Sequence, residues 1–280
     1  LHPRVRRQRQ MCIRDRTMNE HFPFVNPPLP YAYDALEPYI DTQTMYFHHD
    51  RHLQRYVAEL NAIIRDYPEL QNLSLIELIT QPEILPEEVR QPILDYAGGV
   101  YNHILYFNGM TNSLNRSPAD ELYPAIIRDF GTLEDFFNKY KQKALSVFGS
   151  GFAWLVVAPD GTLEIVTTRN QDSPIVDGYC IVMSMDVWEH AYYLRKYNDR
   201  ASYIEDWFHV INWEVANELY KQCINTIQNT TGDTLEDVII PEPETNFPSP
   251  DTQPTPDFEV PPAVVMNFKK SLFPLNPCIV

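Results

Sequence analysis

The segment Asp186-Val187-Trp188-Glu189-His190 sets a carboxylate and an imidazole four residues apart, at the foot of the apolar run Tyr179-Cys180-Ile181-Val182-Met183. A carboxylate oxygen and a neutral imidazole nitrogen together suit borderline divalent and trivalent metal ions, and such a pair needs further ligands from elsewhere in the chain. Two upstream segments offer them. His48 opens the cluster His48-His49-Asp50-Arg51-His52, and His103 ends the run Gly98-Gly99-Val100-Tyr101-Asn102-His103. The spacing of Asp186 and His190 alone also fits a capped helix start carrying a surface histidine.

The elements that must hold these residues follow from periodicity. Asp41 or Thr42 can cap a helix on which Met45, His48, His52 and Tyr56 recur every three to four residues, so two histidines and a tyrosine share one stripe. Pro68 ends that helix, and Ser74 to Ile79 forms a short one. A second long helix from about Glu87 to Asn108 carries His103, with Gly98-Gly99 in its interior at a cost of about 1 kcal/mol each against alanine. Either close helix packing or room for a residue from elsewhere accounts for that pair. Helices are expected at Tyr123 to Phe130 and, capped by Thr132, at Leu133 to Phe148. Two β-branched runs, Trp154 to Ala158 and Leu163 to Thr168, flank Pro159-Asp160-Gly161 as a hairpin. Tyr179 to Met185 is a third strand leading into Asp186, and helices at Ile204 to Val210 and Trp213 to Gln222 close the body. The expected class is α+β: an N-terminal α-helical hairpin domain, then a small α/β domain with a three-stranded antiparallel sheet.

A chain of 280 residues with 44% apolar composition can bury a real core. No run approaches the roughly 18 apolar residues of a membrane span, so no membrane partner is expected. The compartment expected by default is the cytoplasm, with a mitochondrial or plastid matrix as the alternative. The formal charge of −16 divides as +5 on residues 1–16, −15 on 17–221 and −6 on 222–280. This balance argues against a nucleic-acid partner. Residues 1–17 are set apart as a non-native or unstructured extension. Domains are placed at 18–116 and 117–222, with 223–280 as a disordered, acidic, proline-rich tail whose partner is unknown. Four cysteines, Cys12, Cys180, Cys223 and Cys278, show no paired spacing, and reduced thiols are expected.

In chain order, Leu29-Pro30-Tyr31-Ala32-Tyr33-Asp34, His48-His49-Asp50-Arg51-His52, Ala97-Gly98-Gly99, Asn102-His103, Phe148-Gly149-Ser150-Gly151-Phe152-Ala153-Trp154, Asn170-Gln171-Asp172-Ser173-Pro174 and Asp186-Val187-Trp188-Glu189-His190-Ala191-Tyr192-Tyr193 closely resemble the iron/manganese superoxide dismutases. The resemblance covers about Phe24 to Tyr220. It implies that His48, His103, Asp186 and His190 hold one redox metal ion per subunit, which converts superoxide to dioxygen and hydrogen peroxide. By the same resemblance, Gln171 hydrogen-bonds the solvent on the metal, His52 and Tyr56 form the gateway, and Trp154 and Trp188 are aromatic walls. Glu189 and Tyr193 reach a second subunit, which implies a homodimer, with a tetramer as the alternative, while Arg51 and Arg200 steer superoxide at the entrance. Gly99 with Gln171 is the manganese-type arrangement, so manganese is favoured, with iron or cambialistic use as the alternative. Tyr39, Leu53, Val100, Phe107 and Phe152 depart from the family's usual residues without touching the implied ligand set. Two other classes compete: a non-haem iron oxygenase, which would place its ligands on a β-barrel, and a metal-binding scaffold acting through its tail.

Overall fold

Asp41 is an extended residue whose carboxylate accepts from Thr44 N, and this cap starts α1, Thr42–Phe47. The computed structural model describes residues 19–113, 117, 118 and 120–231. The expected single helix then departs from 3.6 residues per turn. His48–Leu53 form a π-helical turn before α2, Gln54–Ile64, resumes. Pro68 opens a 3-10 turn beyond its end. Ser74 and Glu77 make a reciprocal capping box at the start of α3, Leu75–Thr80. The long α4, Glu87–Asn108, begins after Pro86 with Glu87 and Glu88 against its positive end, and it packs beside α2 and α3. These elements make the expected helical hairpin.

The second half begins with α5, Leu122–Phe130, and α6, Leu133–Ser146, the latter capped by Thr132 as expected. Strands β1 (Gly151–Val157), β2 (Leu163–Arg169) and β3 (Cys180–Asp186) form an antiparallel sheet in the order β2-β1-β3. The central strand β1 is buried along its whole length, while the edge strand β2 alternates between buried and exposed positions. Phe152 pairs with Asp186, so the carboxylate sits at the last rung of the sheet. The short α7, Tyr193–Lys196, then α8, Arg200–Phe208, and α9, Trp213–Thr231, complete the described chain. Main-chain bonds from Thr111 N to Val210 O and from Asn212 N to Gly109 O join the end of the hairpin to the second half. No described helix is long and apolar enough to cross a membrane.

The end of the last helix and the state of two thiols also differ from expectation. Helix α9 runs nine residues past Gln222, because Tyr220, Cys223, Ile224 and Ile227 recur at i, i+3, i+4 and i+7 and pack on the core. Uncharged Asn, Thr and Gln between them hid that stripe. The thiols of Cys180 and Cys223 are not reduced: they form a disulfide with Cα atoms 5.6 Å apart. Their separation of 43 positions gives no sign of the pairing, which arises because the start of β3 packs against α9. The expected N-terminal extension, Cys12, Cys278 and the tail beyond Thr231 lie outside the described residues.

Candidate metal centre

Four elements bring one side chain each to a single point. His48 opens the π-turn, His103 lies on α4, Asp186 ends β3, and His190 sits in a 3-10 turn at Glu189–Ala191. Their ligating atoms all fall within 4.8 Å of one another. Asp186 Oδ2 is 3.1 Å from His48 Nε2, 3.3 Å from His190 Nε2 and 3.6 Å from His103 Nε2. His48, His103 and Asp186 are fully buried.

The orientation of each group is set from behind. His103 Nδ1 lies 2.7 Å from the carbonyl of Gly99 and must donate to it, so Nε2 presents its lone pair to the centre. The main-chain N–H of Trp188 donates to Asp186 Oδ1 at 2.8 Å, which turns Oδ2 toward the imidazoles. His103 Nε2 has no hydrogen-bond partner among the described residues. A buried lone pair aimed at a carboxylate oxygen is repulsive unless a cation lies between them, so this donor set fits a metal ion. Burial and then the neighbouring imidazoles lower His103 to about 3. Burial likewise lowers His48 to about 4, partly opposed by Asp186. Both are therefore neutral ligands at pH 7. Burial alone would raise the Asp186 carboxyl, but His190 and His48 beside it hold it well below the usual carboxylate range.

Aromatic and polar groups enclose the point. His52 stacks on His190 at 4.3 Å, and Trp188 stacks on the same ring at 5.4 Å, its indole N–H donating to Asn170 O. Tyr56 lies 5.3 Å from the His103 ring, and its hydroxyl accepts from Gln171 Nε2 at 3.1 Å. Burial, then the charge of Asp186, raises the Tyr56 phenol to about 12. Trp154 stands one layer back: Phe152 faces His103, and Trp154 stacks on Phe152. Both accounts of the paired glycines hold. A Cβ on Gly98 would come within 2.3 Å of Gln171 O, and one on Gly99 within 2.7 Å of the Tyr56 ring.

The remaining predicted residues lie apart from this cluster. Glu189 and Tyr193 are exposed. Arg51 is exposed and bonds Tyr46 Oη. Arg200 spends Nε on Tyr192 Oη and its two terminal nitrogens on the carbonyls of Val147 and Gly149, clamping the loop that carries Phe148. Sequence reasoning missed two buried tyrosines behind the centre, Tyr106 and Tyr203; their only advance signal was that Tyr106 follows His103 by three residues on one helix.

Three imidazoles and one carboxylate, shared between a helical hairpin and a sheet-bearing half, define a mononuclear metalloprotein. The model described as the iron/manganese superoxide dismutase alpha-hairpin domain matches residues 23–111, and that of the C-terminal domain matches 118–219. Superoxide dismutase [Mn] of Listeria monocytogenes is 45% identical over 194 residues, 69% of this chain and 96% of its own length. Superoxide dismutase [Mn/Fe] 2 of Staphylococcus aureus is 45% identical over 202 residues, 71% of this chain and 98% of its own. The chain belongs to the iron/manganese superoxide dismutase family.

Proposed function

We propose that this chain is a superoxide dismutase whose metal is held by His48, His103, Asp186 and His190. The supporting observation is the convergence of three imidazole nitrogens on one buried carboxylate oxygen. When bound, manganese or iron supplies a one-electron couple between divalent and trivalent states. Two superoxide ions and two protons then yield one dioxygen and one hydrogen peroxide. The chain's own part is to give three neutral donors and one negative charge, and to manage protons. Tyr56 accepts from Gln171, which leaves its phenolic hydrogen to be donated into the cleft, and its raised pKa keeps that hydrogen in place at neutral pH. His52 and Trp188 sandwich His190 and restrict access to the centre.

Manganese is the metal we favour, with iron or cambialistic use as the alternative. Gly99 has no room for a side chain beside Tyr56, so the glutamine reaches the site from the second half, as Gln171. A homodimer is supported by an apolar face formed where α1 meets α7, on which Tyr46, Phe47, Tyr193 and Leu194 are exposed. A tetramer is the alternative. We assign Arg51 as a steering charge on a negatively charged body, whereas Arg200 is engaged in the Phe148 loop. For the compartment we keep cytoplasm or an organellar matrix; in such a reducing setting the Cys180–Cys223 bond would respond to redox conditions.

Metal analysis and a superoxide-decay assay on protein from a culture supplied with balanced manganese and iron test the proposal. The expected result is close to one manganese ion per subunit with activity proportional to metal content. Full metal content without superoxide decay would favour the scaffold role. Sedimentation of the same sample tests the dimer.

A further inference from the structure

Tyr203 lies on α8 and is 1% exposed, and its hydroxyl is 2.7 Å from the main-chain oxygen of Asp186. A carbonyl oxygen only accepts, so Tyr203 spends its one hydroxyl hydrogen there. Tyr106, on α4 and fully buried, places its own hydroxyl 3.0 Å from that of Tyr203. With the Tyr203 hydrogen committed, Tyr106 must be the donor. The result is a one-way relay, Tyr106 to Tyr203 to Asp186 O, running from the hairpin half to the end of β3. Both phenols are held neutral, since burial raises each of them well above its ordinary value.

The relay touches two of the four converging residues, His48 and Asp186. Tyr106 follows His103 by one helical turn on α4, and its ring lies 5.2 Å from that of His48. Tyr203 fixes Asp186 at its carbonyl, while the Trp188 N–H fixes Oδ1 from the other side. Oδ2 is thus the one Asp186 oxygen left to face the imidazoles. Because β3 and α4 belong to different halves, nothing local in either one sets the distance from His103 Nε2 to Asp186 Oδ2, which is 3.6 Å.

We propose that Tyr106 and Tyr203 are positioning residues for the metal centre, a hydroxyl pair that registers the hairpin's histidines against Asp186 and so sets metal affinity and potential. The inference rests on the metal-site reading above. Neither tyrosine touches the ligating atoms, so both act through Asp186 and His48.

The test is a double-mutant cycle of Tyr106→Phe, Tyr203→Phe and the pair. Each variant is titrated with Mn(II) against a chromophoric chelator, the potential of the bound metal is measured, and thermal unfolding is followed with and without metal. Tyr203→Phe should weaken Mn(II) affinity roughly 10- to 100-fold, the scale found for groups that orient ligands, and shift the potential. Tyr106→Phe should give a smaller change of the same sign. In the Tyr203→Phe background Tyr106→Phe should add almost nothing to the affinity loss, because the relay has already been cut. If the variants lose thermal stability equally with and without metal, at wild-type affinity and potential, the pair is merely part of the core and the proposal fails. Should Tyr203→Phe not fold, Tyr106→Phe alone decides by the same two readouts. A wild-type protein that binds neither Mn(II) nor Fe(II) would instead overturn the metal-site reading itself.

Discussion

The two halves of the molecule supply the centre in different physical ways. The hairpin contributes His48 and His103 from inside helices, both fully buried, and makes them neutral by desolvation. The second half contributes Asp186 and His190 from a strand end and a 3-10 turn, where the backbone offers less restraint, and holds Asp186 by hydrogen bonds to Trp188 N and Tyr203 Oη. Burial suffices to prepare a neutral ligand; a buried charge must be fastened and compensated.

The most severe test of this contrast is Asp186→Asn, which preserves shape and removes the charge. Activity should fall to background and metal should be lost on dialysis, while secondary structure measured by circular dichroism stays near wild type. Retained metal at full occupancy would show that the imidazoles suffice.

Gln171→Ala cuts the contact between the second half and Tyr56 of the hairpin. Turnover should drop roughly 10- to 100-fold with metal content close to wild type. Rapid-mixing kinetics with pulsed superoxide would read it, and an unchanged rate would take Gln171 out of the site.

Acid titration of the metal-free protein separates the halves by pH window. His48, His52 and His103 are all in the hairpin and all have folded values below the ordinary 6.5. The stability this reflects is fully present above about 6.5 and is lost as pH falls through about 4 and 3, since the unfolded chain takes up protons first. Asp186, also lowered, adds a second loss that begins only as pH falls through the ordinary carboxylate value of 3.8. Urea unfolding should therefore show a lower midpoint at pH 5 than at pH 7, and His103→Gln should flatten the difference. Equal midpoints in the wild type would contradict the burial account of the hairpin ligands.

Within the second half, the Cys180–Cys223 bond closes a 43-residue span that includes Asp186 and His190. Chain-entropy arguments give such a closure about 4 kcal/mol. Cys223→Ala should lower the thermal midpoint by roughly 10 °C with little change in turnover at 25 °C. Scanning calorimetry reads the first, and a parallel loss of room-temperature activity would mean that the bond shapes the site directly. The smallest effect expected is Arg51→Glu: a reduced encounter rate at low salt that converges on wild type as ionic strength shortens the Debye length to about 3 Å at 1 M.

Much of this was legible in one dimension. Asp41, Ser74 and Thr132 cap helices as their side-chain chemistry predicts, and the β-branched runs about Pro159-Asp160-Gly161 pair as a hairpin. Spacing offered Asp186, His190, His48 and His103 as candidates, and motif resemblance joined them into one ligand set and named their family. The misses have different causes. The π-turn at His48–Leu53 needs the surrounding fold to favour the wider turn over the regular one. The end of α9 was obscured by uncharged polar residues between its apolar positions.

By itself, then, the sequence determined the residue types at the centre, the elements that carry them and the order of those elements, because capping, periodicity and turn chemistry act over a few residues. Only the tertiary structure decided which nitrogen of His103 faces inward, that Cys180 meets Cys223, and that a tyrosine from each half joins hydroxyls behind Asp186. Such contacts join positions from 43 to 97 residues apart, or turn on which way a ring lies against its own helix. They are set by how the halves pack, which no local pattern encodes.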